Sequence, residues 1–549
     1  MKRLFSLLIF TLLVLLSTAQ EDTITINVFD WNKPSPEGWN ASYEGTAHFP
    51  DSGQWRQILM VKTLKCDERT RADSFPCGEW DYLTKTNVLI PKNDTVEHVN
   101  LSAFVTPYGK GLDLGGKNGW QWVVDVTDYA PLLKGEKKII SGNNQELLDL
   151  KFYFISGVPP RDAISVKNIY PFGEYTYEHL ADDSLMKEKH MVLDFEAEEY
   201  VLRSRIAGHG HAGPYNCCEW DEKLHTYRIN GAEPLNWTVW KDCGFNPIHP
   251  QGGTWQFDRA GWCPGSEVEK QDFDITRWFK PGDTLNIDYE IEMYCGNGEK
   301  DGKFTMSHQL FAYGPVNFQR DAGLVDIIRP TSKQIHSRYN PSCSQPIVEI
   351  RNTGEMPLRS LNISYGFAGE GIKTYRWHGD LAFMQSEQVY LPAPELVPWP
   401  EQTVFFAEVS QPNGAEDQQP LNNRMETAVK RPLVLPSDFV MHVETNNLGR
   451  AVENQLLITT ADGELVFEHT TYDDSTTYDH VINLKPGCYR LEFTDDMEDG
   501  MIRHWWNYYE DKEAVGINGK LELHETDGGL IRELPYDFAE KLMLEFVVK

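Results

Sequence analysis

The chain has 549 residues, more than one hydrophobic core can serve, so three or four domains are expected. Its formal net charge is −31, with the acids spread along its length. That balance disfavours nucleic acid and anionic lipid as partners and reads as a solvated acidic surface.

In chain order, residues 1–20 read as a secretory signal peptide. Lys2 and Arg3 precede an apolar run over 4–16, and Ser17, Thr18 and Ala19 are small residues near a cleavage point. The run is too short for a comfortable membrane span, and no later segment approaches eighteen uninterrupted apolar residues. No Cys closes it, so a bacterial lipoprotein anchor is not indicated. The expectation is an exported monomer without a membrane span: periplasmic, cell-surface-associated or secreted. Nine cysteines suit an oxidising compartment, and an odd count leaves at least one thiol without an intrachain partner. Cys66 with Cys77, and Cys243 with Cys263, are predicted as local staples. Cys217, Cys218 and Cys295 compete for one further bridge, and Cys343 and Cys488 read as free buried thiols.

Short β-branched and aromatic runs at 23–29, 82–90, 151–155, 200–206, 284–293 and 303–312 are separated by Gly, Pro, Asn and Asp. They predict closely spaced strands of an all-β protein. Helix is expected only as fragments at 128–133 and 181–187. The divisions predicted are a first module over 21–170, a second over 171–317, an immunoglobulin-like accessory domain over 318–435 and a C-terminal β-sandwich over 436–549. Strands are expected at 347–350 and 361–367 in the third, and at 455–460, 488–493 and 542–548 in the last. The acidic run at 495–500 reads as a surface turn, with a calcium cradle as the alternative.

One phrase, C-x-E-W-D, occurs twice: Cys77-Gly78-Glu79-Trp80-Asp81 and Cys217-Cys218-Glu219-Trp220-Asp221. With 9 Cys and 16 Trp in the chain, chance is a poor explanation. A cysteine can pin the loop, a Trp offers a flat face to a sugar, and the flanking carboxylates can transfer protons. The segments Asp125-Val126-Thr127 and Asp274-Ile275-Thr276 are a second parallel. Together they predict two duplicated modules, each giving one acid to a shared cleft.

Around the second phrase lie Gly210-His211-Ala212-Gly213-Pro214-Tyr215 and Asp258-Arg259-Ala260-Gly261-Trp262-Cys263-Pro264-Gly265. Around the first lie Thr106-Pro107-Tyr108 and Val124-Asp125-Val126-Thr127-Asp128-Tyr129. In order and spacing, residues 22–315 resemble the bacterial peptide-N-glycosidase F family. The resemblance implies two adjacent eight-stranded jelly rolls with the active site at their interface. It implies an amidase that hydrolyses the bond between Asn and the innermost N-acetylglucosamine of N-linked glycoproteins or glycopeptides, without cofactor or metal. It places Asp81 as the primary acid–base residue, Glu219 as the second carboxylate and Arg259 beside it. Trp80, Glu79, Trp220, Trp262 and His211 are expected to bind substrate, although a Trp beside a disulfide serves equally well as core. Trp120 and Trp122, two apart, share one side of any strand, either core or cleft wall.

The chain departs from the family's pattern in three places. After Lys151-Phe152-Tyr153, Ile155 and Gly157 stand where a Glu and a Trp are expected, Tyr82 replaces a basic residue, and Asp221 replaces a Cys. Gly157 is therefore predicted to open space beside the innermost sugar and to admit a core α1,3-fucose. Three rival functions follow from the same residues. A copper monooxygenase would use His209 and His211, with Met306 and His308. A two-carboxylate glycoside hydrolase and a non-catalytic glycan-binding protein are the others.

Overall fold

Alternating burial fixes the strands. Thr284–Ile291, for example, buries every second residue, the period of a strand with one face on a core. The computed structural model describes residues 23–36, 41–67, 77–78, 80–109, 112–142, 145–213, 217–293, 295, 302–393, 402–509 and 511–549. The predicted signal peptide and Glu79 lie outside these residues.

The first module contains β1 (Thr23–Phe29), β2 (Ser42–Phe49), β3 (Trp55–Cys66), β4 (Leu83–Lys92), β5 (Thr95–Val105), β6 (Trp120–Asp125), β7 (Gly135–Gly142) and β8 (Glu146–Ser156). They form two antiparallel sheets ordered β1-β8-β3-β6 and β2-β7-β4-β5. The second module contains β9 (Arg161–Asn168), β10 (Gly173–Thr176), β11 (Lys189–Val192), β12 (Glu199–His209), β13 (Lys223–Ile229), β14 (Leu235–Val239), β15 (Lys270–Asp274), β16 (Thr284–Ile291) and β17 (Lys303–Val316). Its sheets run β10-β17-β12-β15 and β11-β16-β13-β14. With β9 set aside, the second order repeats the first strand for strand. The repeat extends to the D-[VI]-T corners. Thr127 and Thr276 each donate their N–H to the carboxylate of the Asp two residues earlier, and each hydroxyl accepts from a strand nitrogen, that of Ile58 or Tyr200.

Each module has its own apolar core. Residues 318–432 hold a three-stranded and a four-stranded sheet, and the last module a five-stranded and a four-stranded one. The five-stranded sheet takes in Leu433–Leu435, which lies before the predicted division at 436. Several expectations need correction. β9 pairs with β17, so the second module begins about ten residues earlier than the predicted division at 171. Of the predicted helices, 128–133 keeps only a 3-10 turn at Thr127–Tyr129, and 181–187 carries no helix after Ala181, the last residue of a five-residue α-helix at Tyr177–Ala181. Cys66–Cys77 and Cys243–Cys263 pair as predicted, and Cys217 bonds its neighbour Cys218, leaving Cys295 free. Cys343 and Cys488 are not thiols. They bond each other across 145 residues and join the third module to the last. No helix among the described residues is long and apolar enough to cross a membrane.

The first two modules meet on a polar seam. Arg203, 5% exposed in its side chain, binds Asp272 through two 2.7 Å bonds and Asp128 at 2.8 Å. Tyr129 donates to Gln309 at 2.8 Å and accepts from Arg205 at 3.0 Å. Arg203→Met should lower stability by about 3 kcal/mol, because two half-buried carboxylates would lose their partner. Thermal unfolding of the full chain checks this, and an unchanged melting temperature would count against a fixed seam.

Candidate active site

Both copies of C-x-E-W-D lie in the equivalent loop of their module, between β3 and β4 in the first and between β12 and β13 in the second. The Cys66–Cys77 bridge closes the base of the first loop. Gly78 follows with φ 83°, where a side chain would collide with Gln145. In the second loop Glu219 donates its N–H to Gly210 O at 2.9 Å and accepts from Ala260 N at 3.0 Å. These bonds lay the loop against the D-R-A-G-W-C-P-G segment.

That segment is the joint between modules. Gly265 N bonds Val105 O at 2.7 Å, Val268 N bonds Ala103 O at 2.8 Å, and Trp122 Nε1 reaches Gly265 O at 2.9 Å. Ala103, Val105, Ala207, Trp262 and Val268 form a small apolar core at the seam. Tyr108 continues the stitching: Gly252 N bonds its carbonyl at 2.7 Å, and its hydroxyl accepts from Thr254 N at 3.3 Å. Gly109 N then bonds Gly78 O at 2.9 Å, beside the Asp81 loop. Both acid-bearing loops are therefore held to one frame of main-chain bonds.

Arg259 sits at the centre, 1% exposed. Its Nε lies 3.3 Å from Glu219 Oε1, and its other nitrogens donate to Phe257 O at 2.5 Å, Thr254 O at 2.7 Å and Thr254 Oγ1 at 3.1 Å. The guanidinium also stacks over Trp220 and Trp262, 4.2 and 4.9 Å from the ring centres. Asp81 is half-buried and within electrostatic reach of both Arg259 and Glu219. Burial raises its pKa to about 6, with Arg259 opposing and Glu219 adding to the rise. Burial also raises Glu219, against the pull of Arg259. Two carboxylates near one buried cation, one of them with its pKa raised to about 6, can pass a proton to and from a bound water.

The predicted residues separate clearly. Asp81, Glu219, Arg259 and Trp220 come together, and His211 is exposed close enough for its charge to act on Glu219. Trp80 is 56% exposed beside Asp81, the geometry of a sugar-stacking face. Trp262 differs from expectation. It is 1% exposed, donates to Gly208 O at 2.7 Å and stacks on His209, so it supports the loop and does not face a substrate. Arg259 is likewise enclosed by protein acceptors, which makes it a positioning residue. Trp120 and Trp122 share the buried face of β6. Gly157 is not at the site. β3 and β8 are antiparallel, so Glu146 lies opposite Cys66 at the site end, while Gly157 follows the far end, about 30 Å away along the strand. There it packs on Arg56, which donates to Leu421 O of the third module. The presumed gap beside the innermost sugar thus loses its basis. His308 points into the second core onto Tyr227, and no group of three metal-ligating side chains among the described residues includes His209, His211 or His308.

Sequence reasoning missed Tyr108 as a site residue, although its Thr-Pro-Tyr setting was visible. It missed Phe257 altogether. That ring meets Trp506 of the last module edge to face, with ring centres 5.9 Å apart, so the C-terminal module reaches the wall behind Arg259. Nothing local in the sequence joins residues 257 and 506.

Comparison with known proteins gives a class first. Residues 176–311, most of the second module, match the family model described as Peptide-N-glycosidase F, C terminal. The match is at family level and partial in coverage. Among individual proteins, the chain is 28% identical over 302 residues to peptide-N(4)-(N-acetyl-beta-D-glucosaminyl)asparagine amidase F of Elizabethkingia miricola, covering 52% of this chain and 82% of that one. The structure of PNGase F, a glycosylasparaginase from Flavobacterium meningosepticum, is 27% identical, covering 54% of this chain and 98% of that one with a TM-score of 0.46. PNGF-II is 17% identical, covering 53% and 66% with a TM-score of 0.40.

Proposed function

We propose that this protein is an exported amidase that hydrolyses the β-amide between Asn and the innermost N-acetylglucosamine of N-linked glycans. One observation carries the reading: equivalent loops of two identically wound modules bring Asp81 within electrostatic reach of the Glu219–Arg259 pair. The strand order of each module supports the jelly-roll reading, and the two sandwiches that follow are read as an immunoglobulin-like module and a further accessory module. The family-level match over 176–311 supports the same substrate class.

Amide hydrolysis needs an activated water, a stabilised oxyanion and a proton for the departing nitrogen. Asp81, titrating near 6, takes the proton from water and returns it to the leaving nitrogen. Glu219, held by Arg259, orients the water across the recess. Trp80 offers the exposed face on which a sugar ring packs. The products are Asp in the peptide and a glycosylamine.

The test is incubation with a denatured glycoprotein, followed by mass analysis of peptide and glycan. Conversion of Asn to Asp, a gain of about one mass unit, is expected with release of the whole glycan. Asn left carrying a sugar would favour a glycoside hydrolase, and binding without release a glycan-binding protein. Tolerance of core α1,3-fucose no longer follows from Gly157 and rests on comparing release from fucosylated and plain glycopeptides.

A further inference from the structure

The acidic run of the last module is only in part the surface turn expected from sequence: Asp496 and Met497 are exposed, whereas two of its acids turn inward. Asp495 and Asp499 are 2% and 4% exposed, and with Glu453 they bring one oxygen each within 4.8 Å of one another. Asp495 Oδ1 accepts the N–H groups of Met497 and Asp499, both at 3.1 Å. Asp499 Oδ2 is paired with His504 Nε2. The remaining oxygens differ: Asp495 Oδ2, Asp499 Oδ1 and Glu453 Oε2 are all buried and none has a hydrogen-bond partner. Arg450, the permanent cation near Glu453, donates to the carbonyls of Asn447 and Ile502. Three carboxylates drawn this close, each with a buried oxygen that has no partner, repel one another strongly unless something positive lies between them. A hard divalent cation satisfies all three oxygens at once, and all-oxygen donors from a turn with backbone reach suit calcium better than magnesium.

The position gives the site a consequence. Asp499 holds His504, whose ring stacks on Trp506 with centres 4.5 Å apart, and Trp506 packs on Phe257. The Phe257 carbonyl in turn accepts from Arg259. We propose that Glu453, Asp495 and Asp499 bind a divalent cation of the calcium class, which clamps the loop that seats Trp506 on the wall behind Arg259. The link to turnover rests on the amidase reading, whereas the binding of the cation does not.

The experiment uses the full chain, stripped with chelator, dialysed, and titrated with calcium chloride by calorimetry. One equivalent should bind, and calcium should raise the melting temperature over the chelated protein by roughly 5 °C. Asp495→Asn and Glu453→Gln should each lose that equivalent and melt at the same temperature with calcium or chelator. Magnesium chloride at equal concentration should not replace calcium. Chelation should slow glycan release by about threefold or more, with recovery on adding calcium. Equal melting temperatures with calcium and chelator in the wild-type chain would overturn the proposal. So would undiminished calcium binding by both variants, or equal binding of magnesium. If calcium binds as expected but no glycan is released under any condition, the amidase reading fails and the cation site stands.

Discussion

Asp81→Asn should release glycan at least about a thousandfold more slowly than the wild type, while folding normally and melting no lower. The two halves of that expectation have one cause. Asp81 sits where burial and Glu219 disfavour its charge, which raises its pKa from 3.8 to about 6. A carboxyl whose folded pKa is raised contributes stability that is fully present below the unfolded value. That stability is lost as pH climbs through the folded value, here between about 4 and 6. At pH 7 the ionised Asp81 is therefore a net cost to the fold, with about 3 kcal/mol as its upper bound. Asparagine keeps the shape and removes the charge, so stability at pH 7 should hold or rise. Loss of turnover with no loss of stability is the pattern of a residue kept for chemistry. Initial rates on a glycopeptide and thermal melts at pH 5 and pH 7 measure both. Near-wild-type release would remove Asp81 from the mechanism. The wild-type rate should also fall as pH drops through about 6, where Asp81 takes up a proton.

What was legible in the sequence follows the range over which each signal acts. The C-x-E-W-D loops could be found because scarce residues lie within five positions of one another. Cys66–Cys77 and Cys243–Cys263 were legible because each closes a short loop, while Cys217–Cys218 stayed one of several choices. Cys343–Cys488 was not legible, because only the packed third and fourth modules bring its ends together. Gly157 was misplaced because a strand's own residues do not say which of its ends faces the site, and only pairing to β3 sets that. Trp262 was legible as important but not as buried, since a Trp in a tight loop fits core and cleft equally well. The acidic run at 495–500 looked like a solvated turn because its composition is that of one. Part of it is one, with Asp496 and Met497 exposed, but main-chain bonds to Asp495 within the turn accompany the inward placing of Asp495 and Asp499.

Arg259→Met should lower kcat/KM by about a hundredfold or more and also destabilise the chain by roughly 3–5 kcal/mol. The guanidinium donates to Phe257 O and to both oxygens of Thr254, and it is the ion partner of Glu219 at 3.3 Å. Methionine fills much of the volume between Trp220 and Trp262 but satisfies none of those acceptors. A drop in activity alone would not separate a loosened wall from a changed recess, so the pH profile decides. Arg259 holds down the pKa of both Asp81 and Glu219. Without it both carboxyls should ionise later, and the acid limb of residual activity should move above the wild-type position near 6. Lysine should not rescue the profile, because it supplies a point charge where a planar fork meets three acceptors. If the rate falls while the limb stays in place, Arg259 is scaffold only. The electrostatic coupling of the two carboxylates would then have to come from their own proximity.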